Sequence, residues 1–181
     1  MILREVEDRD LVRRARRGDV ECYNLLVSRW EKRVYNYLLR LVGDREDALD
    51  LAQEVFLKAY QHLGRLEEDG RFGPWLFRIA HNEAFSLLRR RRPEGEPESE
   101  PPPLEPSYGM YPVELTLAVE RALASLTPEQ REAVILKIYQ GWKFEEMAEA
   151  LDCPVSTVKS RVYAALDRLK EMLAPVRSQQ G

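Results

Sequence analysis

Histidine and cysteine are scarce: the chain has two of each in 181 residues. Cys22 and Cys153 stand alone, with no Cys-x-x-Cys pair and no His-Glu-x-x-His run. A zinc site is therefore not expected, no cofactor is called for, and reduced thiols in a cytoplasmic chain are the simplest reading. His62 and His81 have no obvious partners, and no carboxylate cluster with metal spacing lies beside a base. An enzyme such as a nuclease is set aside on that ground. No apolar run approaches the roughly 18 residues a membrane span needs, so direct membrane insertion is not expected. The start, Met1-Ile2-Leu3-Arg4-Glu5, carries no apolar stretch of a secretory signal. A large excess of one charge sign is missing too. Lys plus Arg is 28, Asp plus Glu is 31, and the net charge is −3.

That near balance hides an uneven distribution. Residues 1–92 hold 19 basic and 16 acidic residues, whereas residues 93–112 hold five glutamates and no basic residue. Residues 113–181 are close to neutral, with 9 basic and 10 acidic. The mild acidity belongs to the middle, so it does not exclude an anionic partner. The middle also holds seven of the eleven prolines. Proline removes amide donors and repelling glutamates favour extension, so residues 93–112 read as a linker. The expected organisation is an N-terminal domain over 1–92, the linker, and a C-terminal domain over 113–181. The expected fold class is all-α: two small helical domains joined by a flexible Pro/Glu-rich linker. Whether they pack together is left open.

Both flanks show helical spacing and neither shows a useful period-two run. Leu25, Leu26, Trp30, Val34, Tyr37, Leu38 and Leu41 predict a helix over 21–42. Gly43-Asp44 breaks it, and Asp44 is an N-cap candidate for the next helix, to about Leu63. That helix carries an apolar stripe at Ala48, Ala52, Val55, Phe56, Ala59 and Leu63. A third helix runs from Phe72 to Arg91. In the C-terminal part, a helix is expected from Val113 to Leu126. Thr127-Pro128-Glu129-Gln130 then supplies a hydroxyl cap, a proline at the first helical position and a glutamine three after the cap. The helix it opens is expected to end at Gly141. A short helix over 144–151, a turn at Asp152-Cys153-Pro154 and a longer helix over 155–173 complete a helix-turn-helix pattern. On that last helix Val155, Val158, Val162, Leu166, Leu169 and Leu173 form the inward stripe. The opposite face offers Ser156, Thr157, Ser160, Ala164 and Asp167, flanked by Arg161 and Arg168. Small polar residues let a helix sit deep in a major groove, and basic flanks hold phosphates.

Several motifs then agree in order. They are Leu126 to Leu136 (LTPEQREAVIL), Gly141 to Leu151 (GWKFEEMAEAL) and Cys153 to Val162 (CPVSTVKSRV). Together they closely resemble the C-terminal promoter-binding domain of bacterial sigma factors, in particular the small extracytoplasmic-function group. Asp44 to Tyr60 (DREDALDLAQEVFLKAY) resembles that family's polymerase-binding helix. Phe72 to Asn82 (FGPWLFRIAHN) and the arginine run after it resemble its DNA-opening segment.

The resemblance implies a protein that binds core RNA polymerase and promoter DNA, double-stranded upstream and single-stranded at the minus-ten element. An anti-sigma factor is implied as a further partner. Leu57 projects away from the apolar stripe of its helix, with Leu51 and Gln53 at the margins. With Glu54, these are the implied polymerase contacts. Asn82 falls where the family lines a pocket for an extruded minus-ten base; a carboxamide offers donor and acceptor together. The turn Glu67 to Phe72 is the expected other wall, although three consecutive acids there are awkward beside DNA. Arg89, Arg90, Arg91 and Arg92 are expected to clamp phosphates. Tyr60, Phe72, Trp75 and Phe77 are candidates for stacking on bases, with Trp75 and Phe77 expected in the core. Lys159, Ser160, Tyr163 and Ala164 match the minus-thirty-five reading positions, with Thr157 and Arg161 on phosphates. Relatives often carry a basic side chain where Ala164 stands; Ala can meet a thymine methyl but cannot read guanine. The competing reading is a stand-alone helix-turn-helix regulator that needs no polymerase.

Overall fold

The computed structural model describes residues 6–91 and 113–178; the expected linker, and Arg92 with it, lies outside the described residues. Those residues form eight helices and no strand. They are α1 (Asp8–Arg16), α2 (Val20–Val42), α3 (Arg45–His62), α4 (Phe72–Arg91), α5 (Val113–Ala124), α6 (Pro128–Val134), α7 (Phe144–Leu151) and α8 (Val155–Ser178). Two 3-10 turns, Leu63–Arg65 and Asp69–Arg71, join α3 to α4. The all-α expectation holds.

The ends follow local chemistry. The Asp44 carboxylate accepts from the Asp47 amide at 2.9 Å, capping α3. Gly43 takes a left-handed conformation at φ 77°, which ends α2. The Thr127 hydroxyl accepts from the Gln130 amide and the Gln130 carbonyl oxygen from the Thr127 amide, a complete capping box on α6. The helix does not run on regularly to Gly141. It widens into a π-type turn over Ile135–Tyr139, which packs against α2.

Sequence periodicity missed α1. Its only buried residues are Leu11, Val12 and Ala15, set among arginines and acids. Acids in its first turn and arginines in its last suit the helix dipole. Three inward assignments also shift. Leu25 is exposed on α2. Leu51 sits in the core of the α3 stripe rather than at its margin. On α8, Ala165 takes the inward place expected for Leu166, which is exposed. In each case a neighbouring helix supplies the partner that fixes the inward direction, and helical spacing alone leaves a tolerance of one residue.

Where α2 crosses the start of α4, Gly73 lies under the Trp30 indole. A Cβ there would stand 2.5 Å from the ring. The ring is held from its other edge, because Trp30 Nε1 donates to Asp8 at 2.8 Å. Gly73→Ala should therefore cost about 1–3 kcal/mol of stability through overpacking, read as a lowered urea midpoint.

The two halves share one core. A continuous apolar cluster runs from Leu11 and Leu38 through Leu76, Phe77 and Ala80 to Trp142, Met147 and Ala150. Helix α4 lies against α7. The Phe77 and Trp142 rings stand 4.8 Å apart and tilted. A smaller cluster, Leu123, Leu126, Val134 and Ala165, holds α5, α6 and α8 together. Burying a large apolar side chain is worth about 1.5–3 kcal/mol, against at most about 1 kcal/mol for a surface ion pair. Phe77 and Trp142 therefore dominate the cohesion of this seam.

Polar groups give the seam its register. The Glu132 carboxylate is fully buried. Its Oε1 accepts from the Tyr37 hydroxyl at 2.5 Å and meets His81 Nδ1 at 2.6 Å. Burial first, then the adjacent carboxylate, push the Tyr37 hydroxyl well above the ordinary phenol range, so it stays a donor. Arg33 and Gln140 exchange two further bonds, Nε to Oε1 at 3.1 Å and Nε2 to the Arg33 carbonyl at 3.2 Å.

Candidate polymerase and DNA interfaces

Helix α3 presents its outer face to solvent. Leu57 is 51% exposed, and Leu49 and Tyr60 are similarly open. These three, spaced eight and three residues apart, lie on one side of the helix with Gln53 and Glu54, both exposed. Leu51 lies beneath, buried at 7%. Lys58 is held by Glu83 and Asp47 by Arg91, so these two charged side chains of α3 are already engaged. An apolar side chain left open between charged neighbours suits a protein partner. Leu49 escaped the sequence reading because it directly follows Ala48, the first residue of the stripe, and lies off it.

Helix α4 carries the second face. Asn82 is exposed, and its carboxamide bonds to no other described residue. Arg89 and Arg90 are exposed, whereas Arg91 donates to the Val42 carbonyl at 3.0 Å and pairs with Asp47. Arg91 thus pins the end of α4 to the helices beside it. Phe72 and Phe77 are core residues, Trp75 is half-buried, and Tyr60 is open with its ring 5.0 Å from Tyr23.

The turn before α4 walls a cavity of about 400 Å³. Arg65, Arg71, Arg78 and Trp75 line it, with Glu67 and Glu68 from the turn and Glu149 reaching across from α7. Asn82 lies one helical turn beyond Arg78, outside this lining. The turn's acidity is partly neutralised. Asp69 faces Arg13 Nε at 2.9 Å and Arg16 Nη1 at 2.6 Å, so it is engaged by α1. Sequence reasoning could not see this, since α1 itself was missed.

The third face is on α8. Lys159, Ser160, Tyr163 and Ala164 are exposed, and Thr157 and Arg161 half-buried. Val158, Val162 and Ala165 anchor the opposite side. Phe144 of α7 acts as a shelf. Lys137 Nζ lies 4.3 Å and Lys159 Nζ 5.6 Å from its ring centre, and the Tyr163 ring is 6.3 Å away. It orients cationic side chains beside the reading face, a role that an aromatic at the start of a short helix does not announce. Both cysteines are free, and burial raises both thiols above their ordinary range. No group of metal-ligating side chains occurs among the described residues, and no described helix is long and apolar enough to cross a membrane.

A family model of sigma-70 region 2 matches residues 26–94, and one of sigma-70 region 4 matches residues 116–169. The RNA polymerase sigma-H factor of Pseudomonas aeruginosa is 32% identical, over 97% of this chain and 98% of that protein. The ECF RNA polymerase sigma-E factor of Escherichia coli is 34% identical, over 95% and 97%. The chain belongs to the extracytoplasmic-function sigma factors. Among solved structures, this sigma factor is similar to RpoE of Bartonella quintana in complex with the anti-sigma factor NepR. The TM-score there is 0.70 at 28% identity, covering 84% of this chain and 96% of that one. It is also similar to CnrH in complex with the cytosolic domain of CnrY, with TM-score 0.73 at 26% identity and 93% and 97% coverage. In the sigma factor's terms, most of α2 with α3 and α4 falls in region 2 and most of α5 to α8 in region 4, so Asn82 belongs to region 2, the α8 face to region 4, and the cavity is walled by region 2 with Glu149 of region 4.

Proposed function

We propose that this sigma factor, acting in the cytoplasm and without chemistry of its own, docks on core polymerase through α3 and divides promoter reading between its two halves. Residues 1–92 take the polymerase and the minus-ten strand, and residues 113–181 take the minus-thirty-five duplex. Gln53, Glu54 and Leu57 contact the enzyme, with Leu51 supporting them from below. Asn82 reads an unstacked base, while Arg89, Arg90 and, when released from Asp47, Arg91 meet phosphates; Arg92 continues that run. On α8, Lys159, Ser160, Tyr163 and Ala164 face base edges, with Thr157 and Arg161 on the backbone. An anti-sigma factor holds the protein inactive, as the partners of the two similar solved structures suggest.

The observation that carries this reading is the simultaneous exposure of three faces on one chain: an apolar strip on α3, a carboxamide with arginines on α4, and a polar-basic face on α8. Mixing with core polymerase should yield a co-migrating complex that initiates at specific promoters in vitro. Tight sequence-specific duplex binding without core would instead favour a stand-alone regulator. Residue roles separate by step. Lys159→Ala and Arg161→Ala should weaken initiation mainly at promoters needing the upstream element, each by about 1 kcal/mol or more. Asn82→Ala should impair opening more than closed-complex formation. Footprinting and permanganate reactivity measure the two steps, and the reverse partition would refute the assignments.

A further inference from the structure

Helix α1 lies before the stretch matched to region 2, yet it grips the irregular segment between α3 and α4. That segment makes two 3-10 turns. The Leu66 amide donates to the Leu63 carbonyl at 3.2 Å and the Arg71 amide to the Glu68 carbonyl at 2.9 Å. Bonds of this kind have poorer geometry than those of an α-helix, so side chains decide where the turns sit. Leu66 is buried. Asp69 is taken by α1: its Oδ2 accepts from Arg13 Nε at 2.9 Å and its Oδ1 from Arg16 Nη1 at 2.6 Å. Arg16 Nε also donates to the Leu63 carbonyl at 3.2 Å. One guanidinium therefore bridges both turns.

Helix α1 is itself a fixed base. Leu11, Val12 and Ala15 seat it in the core. At its start, Asp8 accepts from Arg29 Nη1 and from Trp30 Nε1, each at 2.8 Å. The consequence falls on the cavity wall. Glu67, Glu68 and Asp69 are three like charges in succession, and they repel one another. With Asp69 drawn to α1, Glu67 and Glu68 stay exposed on the cavity lining with Arg65 and Arg71. Carboxylates accept from exocyclic amines, and guanidinium groups donate to base carbonyls and ring nitrogens. Such groups discriminate between bases only while their neighbours hold them to within about 0.5 Å.

We infer that Arg16, with Arg13, is a positioning residue for minus-ten recognition: by clamping Asp69 and the Leu63 carbonyl, it fixes the turn that walls the cavity and so sets which unstacked base is preferred there. Neither arginine lines the cavity, and both act through the turn. This rests on the reading of region 2 as the strand-binding half.

In vitro transcription by the reconstituted holoenzyme, from a promoter library randomised across the minus-ten element, gives the ratio of output between bases at each position. A ratio taken within one variant is unmoved by its folded fraction or its affinity for core. Arg16→Gln should flatten the preference at one or more minus-ten positions by about threefold to fivefold, the range that a partly exposed ion pair supplies. Dependence on the upstream element should stay as in the wild type. Arg16→Lys, which keeps the charge but loses the fork, should recover part of the preference. Arg16→Gln combined with Asp69→Asn should be no flatter than the flatter single variant, since both break one clamp. Arg14→Gln is the control, because Arg14 pairs with Asp19 at 2.7 Å rather than with Asp69. Unchanged preference in Arg16→Gln, additive flattening in the double variant or equal flattening by Arg14→Gln overturns the inference. Asn82→Ala is read in the same library. Flattening by Asn82→Ala with Arg16→Gln unaltered refutes the clamp alone. Flattening by Arg16→Gln with Asn82→Ala unaltered refutes the base-reading role of Asn82 alone.

Discussion

Arg131→Met lowers the unfolding free energy by about 3–5 kcal/mol, the scale of leaving buried polar partners uncompensated. The guanidinium is buried at 6% exposure and donates to four backbone carbonyls. Nε reaches Leu123 at 3.0 Å, and Nη2 reaches Ala124 at 2.9 Å and Leu126 at 3.1 Å. Nη1 reaches Leu41 at 3.1 Å. These carbonyls lie at the C-terminal ends of α5 and α2, where helical partners run out. One side chain thus caps two helices, one from each half, and its charge sits at the negative end of both dipoles. Burial pulls its pKa below the ordinary arginine value, a cost that these acceptors offset. Methionine fills a similar volume but donates nothing. Arg131→Lys should recover less than half of the loss, because a point donor cannot span the fork. Urea titration followed by circular dichroism measures both variants. A loss under about 1 kcal/mol would mean that water satisfies the carbonyls and the cap is dispensable.

Leu57→Asp should weaken binding to core polymerase by roughly thirtyfold or more, the effect of losing an interface anchor worth about 2 kcal/mol. The side chain is half open to solvent. Its removal therefore changes folding stability by no more than about 0.5 kcal/mol. The substitution both deletes apolar contact area and buries a carboxylate at the contact. Leu25→Asp is the control, because Leu25 is as exposed but sits on α2. Competition against a labelled wild-type chain for core enzyme gives both affinities. Equal weakening by the two variants would place the contact elsewhere than on the α3 strip.

Sequence pattern carried far in this chain. Asp44 and Thr127 marked helix starts because capping is local: the acceptor and the amide it serves are three residues apart. The bounds Phe144–Leu151 were legible for a related reason, since the Asp152-Cys153-Pro154 turn stops that helix within a few residues. The exposed reading face on α8 was legible as well, because helical spacing separates it from Val158 and Val162.

Other features depended on residues distant in the chain. Leu51 moved from the margin to the inside and Leu166 from inside to outside, because the helix packed against each face, not its own spacing, chooses between adjacent positions. His81 has a partner in Glu132, 51 positions away. Helix α1 gained its place by engaging Asp69, 53 and 56 residues beyond its arginines.

The sequence by itself determined the all-α class, most helix bounds and the polar and basic face of α8, all set by interactions within a few residues. Only the tertiary structure decided that the two halves close on one another, that Glu132 is buried between Tyr37 and His81, and that Glu149 and Asp152 rest on Arg71 and Arg78. Those contacts join groups that no local periodicity relates, and the burial of Phe77 against Trp142 brings them together.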